Sequence, residues 1–398
     1  MIDEKVIDKL VNRLASRVED ANKYFLKSIG KSIGEIGRLT PTKAQQLVQI
    51  LKYGGNYNKI VNEISNLTNL NVKDIDKIFE EYAKKDQMFY KKFYDYRNVP
   101  FVEYANNEAL RKQTQALAAL SKGEMLNYAN TSAIGYSIRD LDGNVVFRGL
   151  QETYHSLLDQ ALLNTTMGKE TFDQSMKRTL KQLGTSGLRT LDFENGRSIR
   201  LDSMVRMHLK QSLRELHNKN QEMFGEEFGA DGVEISVHEN PAIDHEDAQG
   251  KQFTNEEFAK LQDTGIAKDV NGKIISLHNS SSGSFRPISE LNCYHYIFSI
   301  VVGVNNPEYN EKQLEEIKQR NENGFDMFGK HYTMYEGTQL QRQLERRIRE
   351  QKDIRIVANA SGNKSLVNET NIKIRTLTGQ YKQLNEISGL KPKTKRLR

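Results

Sequence analysis

The sequence predicts a mainly α-helical protein that carries one small α+β domain. Three observations lead there. Apolar residues recur on one helix face through most of the chain, as in Val6, Leu10, Leu14, Val18, Ala21 and Phe25. Short apolar runs bounded by turn residues concentrate between residues 231 and 305. Beyond 305 the pattern returns to polar, increasingly basic helix. The organisation read from this is a multi-helix N-terminal region (1–130), a hairpin with long helices (131–230), a compact α/β unit (231–305) and a helical C-terminal extension with a basic tail (306–398).

The first helix is expected to weaken at Gly30, Gly34 and Gly37. Thr40-Pro41 is a start signal, with Thr as N-cap and Pro at the first helical position. That helix carries Leu47, Val48 and Leu51 and stops at Gly54-Gly55. Asn71 and Asp74 open another through Ile75, Ile78, Phe79 and Tyr82. Phe89, Tyr90, Phe93, Tyr94, Tyr96, Phe101 and Tyr104 follow among lysines; they read as aromatic core between helices, with a base-stacking surface as the alternative. Tyr136 to Arg148 flanks Asp142-Gly143, a hairpin signature. Helical spacing resumes over Thr153–Leu183, Gly184–Gly187 reads as a loop, and Arg200–Phe228 as a long helix with Met204, Val205, Leu209, Leu213 and Leu216 inward.

In the compact unit, Gly232–Val237 alternates like a strand. Thr254 and Glu257 form a capping box before a helix at Glu256–Gln262. Asn271-Gly272 is a turn, His278–Ser284 a Ser/Gly-rich loop, and Tyr296–Val304 a buried strand. Asn310 caps a polar helix through Arg320. Leu340, Leu344 and Ile348 set a helical stripe beside an expected Glu345–Arg349 pair. Ser361-Gly362 breaks it, and a last helix runs over Glu369–Ile387.

Composition excludes several classes. Of 398 residues 37% are hydrophobic and 28% charged, too apolar for a disordered chain and too polar for a membrane protein. Tyr296–Val304 is about half of what a spanning helix needs, so no membrane partner is expected. One cysteine rules out an internal disulfide framework and predicts a reducing compartment; the N-terminus shows no signal-peptide pattern. The net charge is +6, but residues 340–398 hold fifteen Lys/Arg against five Asp/Glu, leaving −4 for the rest. Lys391, Lys393, Lys395, Arg396 and Arg398 close the chain as a candidate DNA-binding segment, through phosphate contact. An exposed, solubilising end has the same composition.

Gly30-Lys31-Ser32 looks like the end of a phosphate-binding loop but lacks the earlier glycine and a preceding strand. Histidine is more informative. His238, His245 and His295 fall in the α/β unit with Cys293, and imidazole with thiolate is a zinc donor set. Asp244 stands beside them. The spacing is unusual for zinc, and a hydrogen-bonded cluster around a small buried Cys293 is the alternative. Glu239, Asp244, Glu246 and Asp247 read as turn-forming or solvated carboxylates rather than acid–base catalysts. No nucleophile elbow, His-Glu-x-x-His helix or dinucleotide fingerprint occurs, so no enzymatic activity is expected.

Several ordered blocks resemble the phage minor capsid protein 2 family. They are Gly229–His238 with Asn240-Pro241, Asp244-His245 and Gln249-Gly250; Leu291-Asn292-Cys293-Tyr294-His295; Gly329–Glu336 followed by Thr338–Glu345; and Gly389-Leu390-Lys391-Pro392. Gly196-Arg197-Ser198 with Arg200-Leu201-Asp202 also fits. The resemblance runs from about residue 130 to 398, and more loosely into the N-terminal helices. It implies a low-copy structural or head-morphogenesis protein, made in the bacterial cytoplasm and built into the phage head near the portal. Its implied partners are the portal protein and the inner capsid surface, with double-stranded DNA a further partner for the basic end. The family is distantly similar to Mu F-type head proteins, whose α/β segment carries a Cys/His pattern resembling a metal knuckle. Here Cys293 and His295 match its late part, while Asp244 and His245 stand where the early Cys pair would be. At most a His/Cys variant of a zinc site is therefore expected. Asn271–Ser284 looks like extra length before Arg286-Pro287. The alternatives are a DNA-binding packaging or ejection factor, and a metal-dependent hydrolase centred on His238, Asp244, His245, Cys293 and His295.

Overall fold

The computed structural model describes residues 4–36, 62, 72–128, 134–139, 144–166, 172–191, 198–279, 284–290, 293 and 295–397. The expected helix over Thr40–Gly55, the turn at Asp142-Gly143 and most of the Ser/Gly-rich loop lie outside them. The fold is mainly α with small antiparallel sheets. Its helices are α1 (Glu4–Ile36), α2 (Val72–Arg97), α3 (Glu108–Tyr128), α4 (Leu150–Thr166), α5 (Phe172–Ser186), α6 (Leu201–Phe228), α7 (Asn255–Thr264), α8 (Glu311–Asn323), α9 (Met334–Ser361) and α10 (Lys364–Ser388). Strands β1 (Ile134–Arg139), β2 (Val145–Gly149), β3 (Arg189–Leu191) and β4 (Ser198–Arg200) form one sheet, ordered β2-β1-β3-β4. Strands β5 (Gly232–Ile235), β6 (Gln252–Thr254) and β9 (Ile297–Ile300) form a second, ordered β6-β5-β9. The hairpins β7–β8 (Ile266–Lys268, Ile274–Ser276) and β10–β11 (Phe325–Met327, Lys330–Tyr332) complete the set.

The main core joins the two ends of the chain. Leu14, Phe25, Ile29 and Ile33 of α1 meet Leu180 and Leu183 of α5, Leu209 and Leu213 of α6, and Ile354 and Val357 of α9. The glycines expected to weaken α1 do not interrupt it. A Cβ on Gly30 would lie 2.7 Å from the Val357 carbonyl oxygen, and one on Gly34 would lie 2.4 Å from that of Ser361. These glycines let α1 approach the α9 backbone, and that packing outweighs their poor helix propensity. Gly184 does the same from the other side: its Cβ would lie 2.4 Å from the Ile354 amide nitrogen. The segment read as a Gly184–Gly187 loop is therefore helix as far as Ser186.

The aromatic run belongs to a core. Tyr90, Phe93 and Tyr94 of α2 pack on Phe224 and Phe228 of α6, with Phe93 and Phe228 stacked at 5.2 Å. Replacing Phe224 by Ala is expected to cost about 3–5 kcal/mol, readable as a lower denaturant midpoint. Beneath it, buried His217 bridges Asp86 (2.9 Å) and the Ile297 carbonyl (2.8 Å), while Asn220 donates to the other Asp86 oxygen (3.1 Å). That polar knot fixes α2, α6 and the β5–β9 sheet against one another.

The ends of the elements follow the caps. Thr254 accepts from the Glu257 amide at 3.2 Å. The reciprocal half of the box is replaced, because the Glu257 carboxylate accepts from the Lys268 amide at 2.7 Å and so pins β7. Asn310 and Gln313 make the full box at α8, as do Thr333 and Glu336 at α9. Gly362 ends α9 in the left-handed conformation, φ 78°. α10 begins at Lys364, earlier than Glu369, because the Asn363 side chain caps it through the Leu366 amide. The expected Glu345–Arg349 pair is redirected. Arg349 reaches Asp202, and Glu345 accepts from Tyr381 Oη at 3.2 Å.

Candidate functional site

Two sequence features remain to be placed: the His/Cys/Asp group and the basic end. The β5–β9 ladder assembles the first. Its register pairs Ile235 with Ile297, so the chain beyond β5 and the chain before β9 run side by side. Ser236 and Tyr296 extend the pairing, with the Ser236 amide donating to the Tyr296 carbonyl at 2.9 Å and the Tyr296 amide to Ser236 Oγ at 2.8 Å. His238 and His295 follow, with ring centroids 4.5 Å apart. Gln249 Oε1 accepts the His238 amide at 2.9 Å. A short 3-10 turn, Ile243–His245, then carries His245 under the pair, 5.4 Å from the His295 ring.

Cys293 Sγ lies 3.4 Å from His245 Nδ1 and 3.5 Å from His295 Nδ1. All three side chains are buried, and one ligand atom from each lies within 4.8 Å of the others. The other His245 nitrogen, Nε2, donates to the Arg286 carbonyl at 2.6 Å. Burial by itself raises the Cys293 thiol and lowers the His245 imidazole. Their mutual hydrogen bond and charge reverse both, so the thiol sits below its ordinary value and the imidazole above. Burial, with the His238 and His245 rings adding to it, holds His295 well below the usual imidazole range. As placed, none of the three offers an atom to a dissolved substrate.

The acidic residues near this group are used otherwise. Asp244 Oδ2 accepts from Arg286 at 2.7 Å and stands 4.0 Å from His245 Nε2. Glu246 accepts from Asn321 at 2.9 Å, and Asp247 binds His278 at 2.8 Å and Lys318 at 3.2 Å. The Glu239 carbonyl accepts from Arg320 at 2.7 Å. Three of these contacts, from Asn321, Lys318 and Arg320, clamp α8 over the loop. Sequence reading missed Arg286, which pairs with Asp244 and fixes His245 through its carbonyl; only its position in the Arg286-Pro287 step after the Ser/Gly-rich loop hinted at it.

The basic end is folded back on α9 and α10. Leu390 belongs to the core of Phe325, Met334, Leu344, Ile348, Tyr381 and Leu384, and half-buried Leu397 packs against it. The Lys393 amide donates to Tyr381 Oη at 2.8 Å, Gln341 donates to the Lys391 carbonyl at 3.1 Å, and Lys352 donates to the Leu397 carbonyl. Arg396 stands 4.0 Å from buried Glu345, and Lys391 stands 3.8 Å from Glu239. The structure places Lys395 in the closing 3-10 turn; Arg398 lies outside the described residues.

Among the described residues no helix is long and apolar enough to cross a membrane. The family model described as phage minor capsid protein 2 matches residues 2–385. Comparison with curated proteins and with solved structures returns no match.

Proposed function

This chain belongs to the phage minor capsid protein 2 family, and from that premise we propose that it is a low-copy head protein acting in head assembly at the inner capsid surface beside the portal. The match over residues 2–385 carries the reading: it makes the chain a virion structural protein that meets other virion components. The finer placement rests on charge. A body of net −4 ends in a region of net +10, and such a basic end suits contact with packaged DNA or with an acidic portal surface. No catalytic step is part of this role. Quantitative mass spectrometry of mature and DNA-free particles tests it. A few copies per particle in both forms are expected; absence from particles and assembly intermediates alike would sink it.

The concentration of charge in residues 340–398 favours DNA contact as a second element of the role. A free arm of five cations predicts a log K against log salt slope of about −4.5. With Arg396 and Lys391 facing carboxylates, the end adds a shallower slope than a free arm would. Truncation would also remove Leu397 from its packing against that core. The cleaner variant replaces Lys391, Lys393 and Lys395 by Gln. Weaker binding to duplex DNA with a shallower salt slope is expected; an unchanged slope would remove this end as a phosphate contact.

A further inference from the structure

We propose that His245, Cys293 and His295 form a binding site for one zinc ion, which ties the turn at Ile243–His245 to the strand entering β9. This goes beyond the assignment as a head protein and does not depend on it. Two features of the site point to a metal rather than to a hydrogen-bonded cluster alone.

The first is spacing. Zinc bound to one sulfur at ~2.3 Å and to nitrogens at ~2.0–2.1 Å in a tetrahedron sets sulfur–nitrogen edges of ~3.5 Å. The two edges here are 3.4 and 3.5 Å. All the ligand atoms lie within 4.8 Å of one another, so ring movement alone closes the third edge. The second is the orientation of His245. Its Nε2–H is given to the Arg286 carbonyl at 2.6 Å, which leaves the Nδ1 lone pair directed at the sulfur. A backbone carbonyl fixing the far nitrogen is the usual support behind a metal-bound histidine.

The donor set chooses the ion. One thiolate and two imidazoles suit zinc, and the absence of a carboxylate from the set disfavours magnesium or calcium. Asp244 is outside it, held by Arg286. On binding, the Cys293 thiol proton leaves to solvent as the sulfur–metal bond forms, and each ring donates one lone pair. His238, beside His295, borders the remaining position.

The test is a cobalt(II) titration of the metal-stripped full-length chain. One equivalent is expected to bind, with a thiolate-to-cobalt charge-transfer band and the strong visible bands of tetrahedral cobalt, all discharged by zinc. Cys293→Ser removes the charge-transfer band, and His295→Ala weakens binding by more than about 100-fold, the upper range for loss of a supporting residue. Zinc raises the melting temperature of the unmodified chain and a chelator lowers it, a measurement that needs no variant. No band in the unmodified chain, weak octahedral bands, or a spectrum that survives Cys293→Ser would each overturn the site.

Discussion

Asp202→Ala is expected to destabilise the protein by about 3–5 kcal/mol. Asp202 opens α6 and is 3% exposed. Its carboxylate takes Arg200 Nε at 3.2 Å, Arg206 at 2.8 Å and Arg349 of α9. Arg200 also reaches Asp353 at 3.0 Å, and Arg206 reaches Glu19 of α1 at 2.8 Å. The network therefore joins α1, β4, α6 and α9 in the main core. Removing Asp202 leaves three buried or half-buried guanidiniums with one carboxylate fewer. The penalty is that of unpaired charge, not the value of the bonds lost. An apolar pair, Asp202→Leu with Arg349→Met, is accordingly expected to recover part of the loss. Urea midpoints of the three proteins decide it; equal midpoints for the wild type and Asp202→Ala would show that the network holds nothing together.

The same residue sets an acid dependence. Burial would raise the Asp202 carboxyl, but three guanidiniums outweigh it and hold it well below its ordinary 3.8. A carboxyl depressed in the folded state contributes stability above its unfolded value, and that stability is lost as pH falls below about 4. Asp353 and Glu19 move the other way, raised by burial with fewer cations around them, and so partly offset the loss. The Asp202→Asn variant is expected to lose less stability between pH 7 and pH 3 than the wild type. A parallel loss in both would assign the acid limb to other carboxylates.

Arg200-Leu201-Asp202 stood out in the sequence as part of a family resemblance, yet nothing in it announced a charge centre. Arg349 is 147 residues away and Asp353 is 153 from Arg200, and local pattern carries no such pairing. For the same reason the i,i+4 reading of Glu345 and Arg349 fails: each finds a buried partner on another element, Tyr381 and Asp202. The His/Cys group was legible because one ladder and one short turn gather it, and residue chemistry alone singles out four such side chains. Helix existence was legible from apolar spacing, while helix ends moved wherever a cap or a neighbouring backbone decided them, as at Asn363 and Gly184. The basic end was read as a phosphate contact or an exposed, solubilising end because charge is visible in sequence and the packing of Leu397 is not.

The glycines of α1 give the prediction in which sequence and structure disagree in sign. By helix propensity, Gly34→Ala should stabilise a 33-residue helix by about 1 kcal/mol. The structure places the new Cβ 2.4 Å from the Ser361 carbonyl oxygen and 2.8 Å from its Cα. Both are backbone of the last turn of α9, and no rotamer relieves them. Forcing atoms into a packed interface costs about 1–3 kcal/mol, so a net loss is expected for Ala and a larger one for Val, whose branches add bulk at the same point. Gly123 of α3 is the control. A Cβ there meets nothing within 4 Å, so Gly123→Ala is expected to gain about 0.5–1 kcal/mol. Opposite signs at the two positions, read from denaturant midpoints, mean that α1 owes its glycines to contact with α9. If both substitutions stabilise, the two helices are not in backbone contact, and the core joining the two ends of the chain is wrong at its centre.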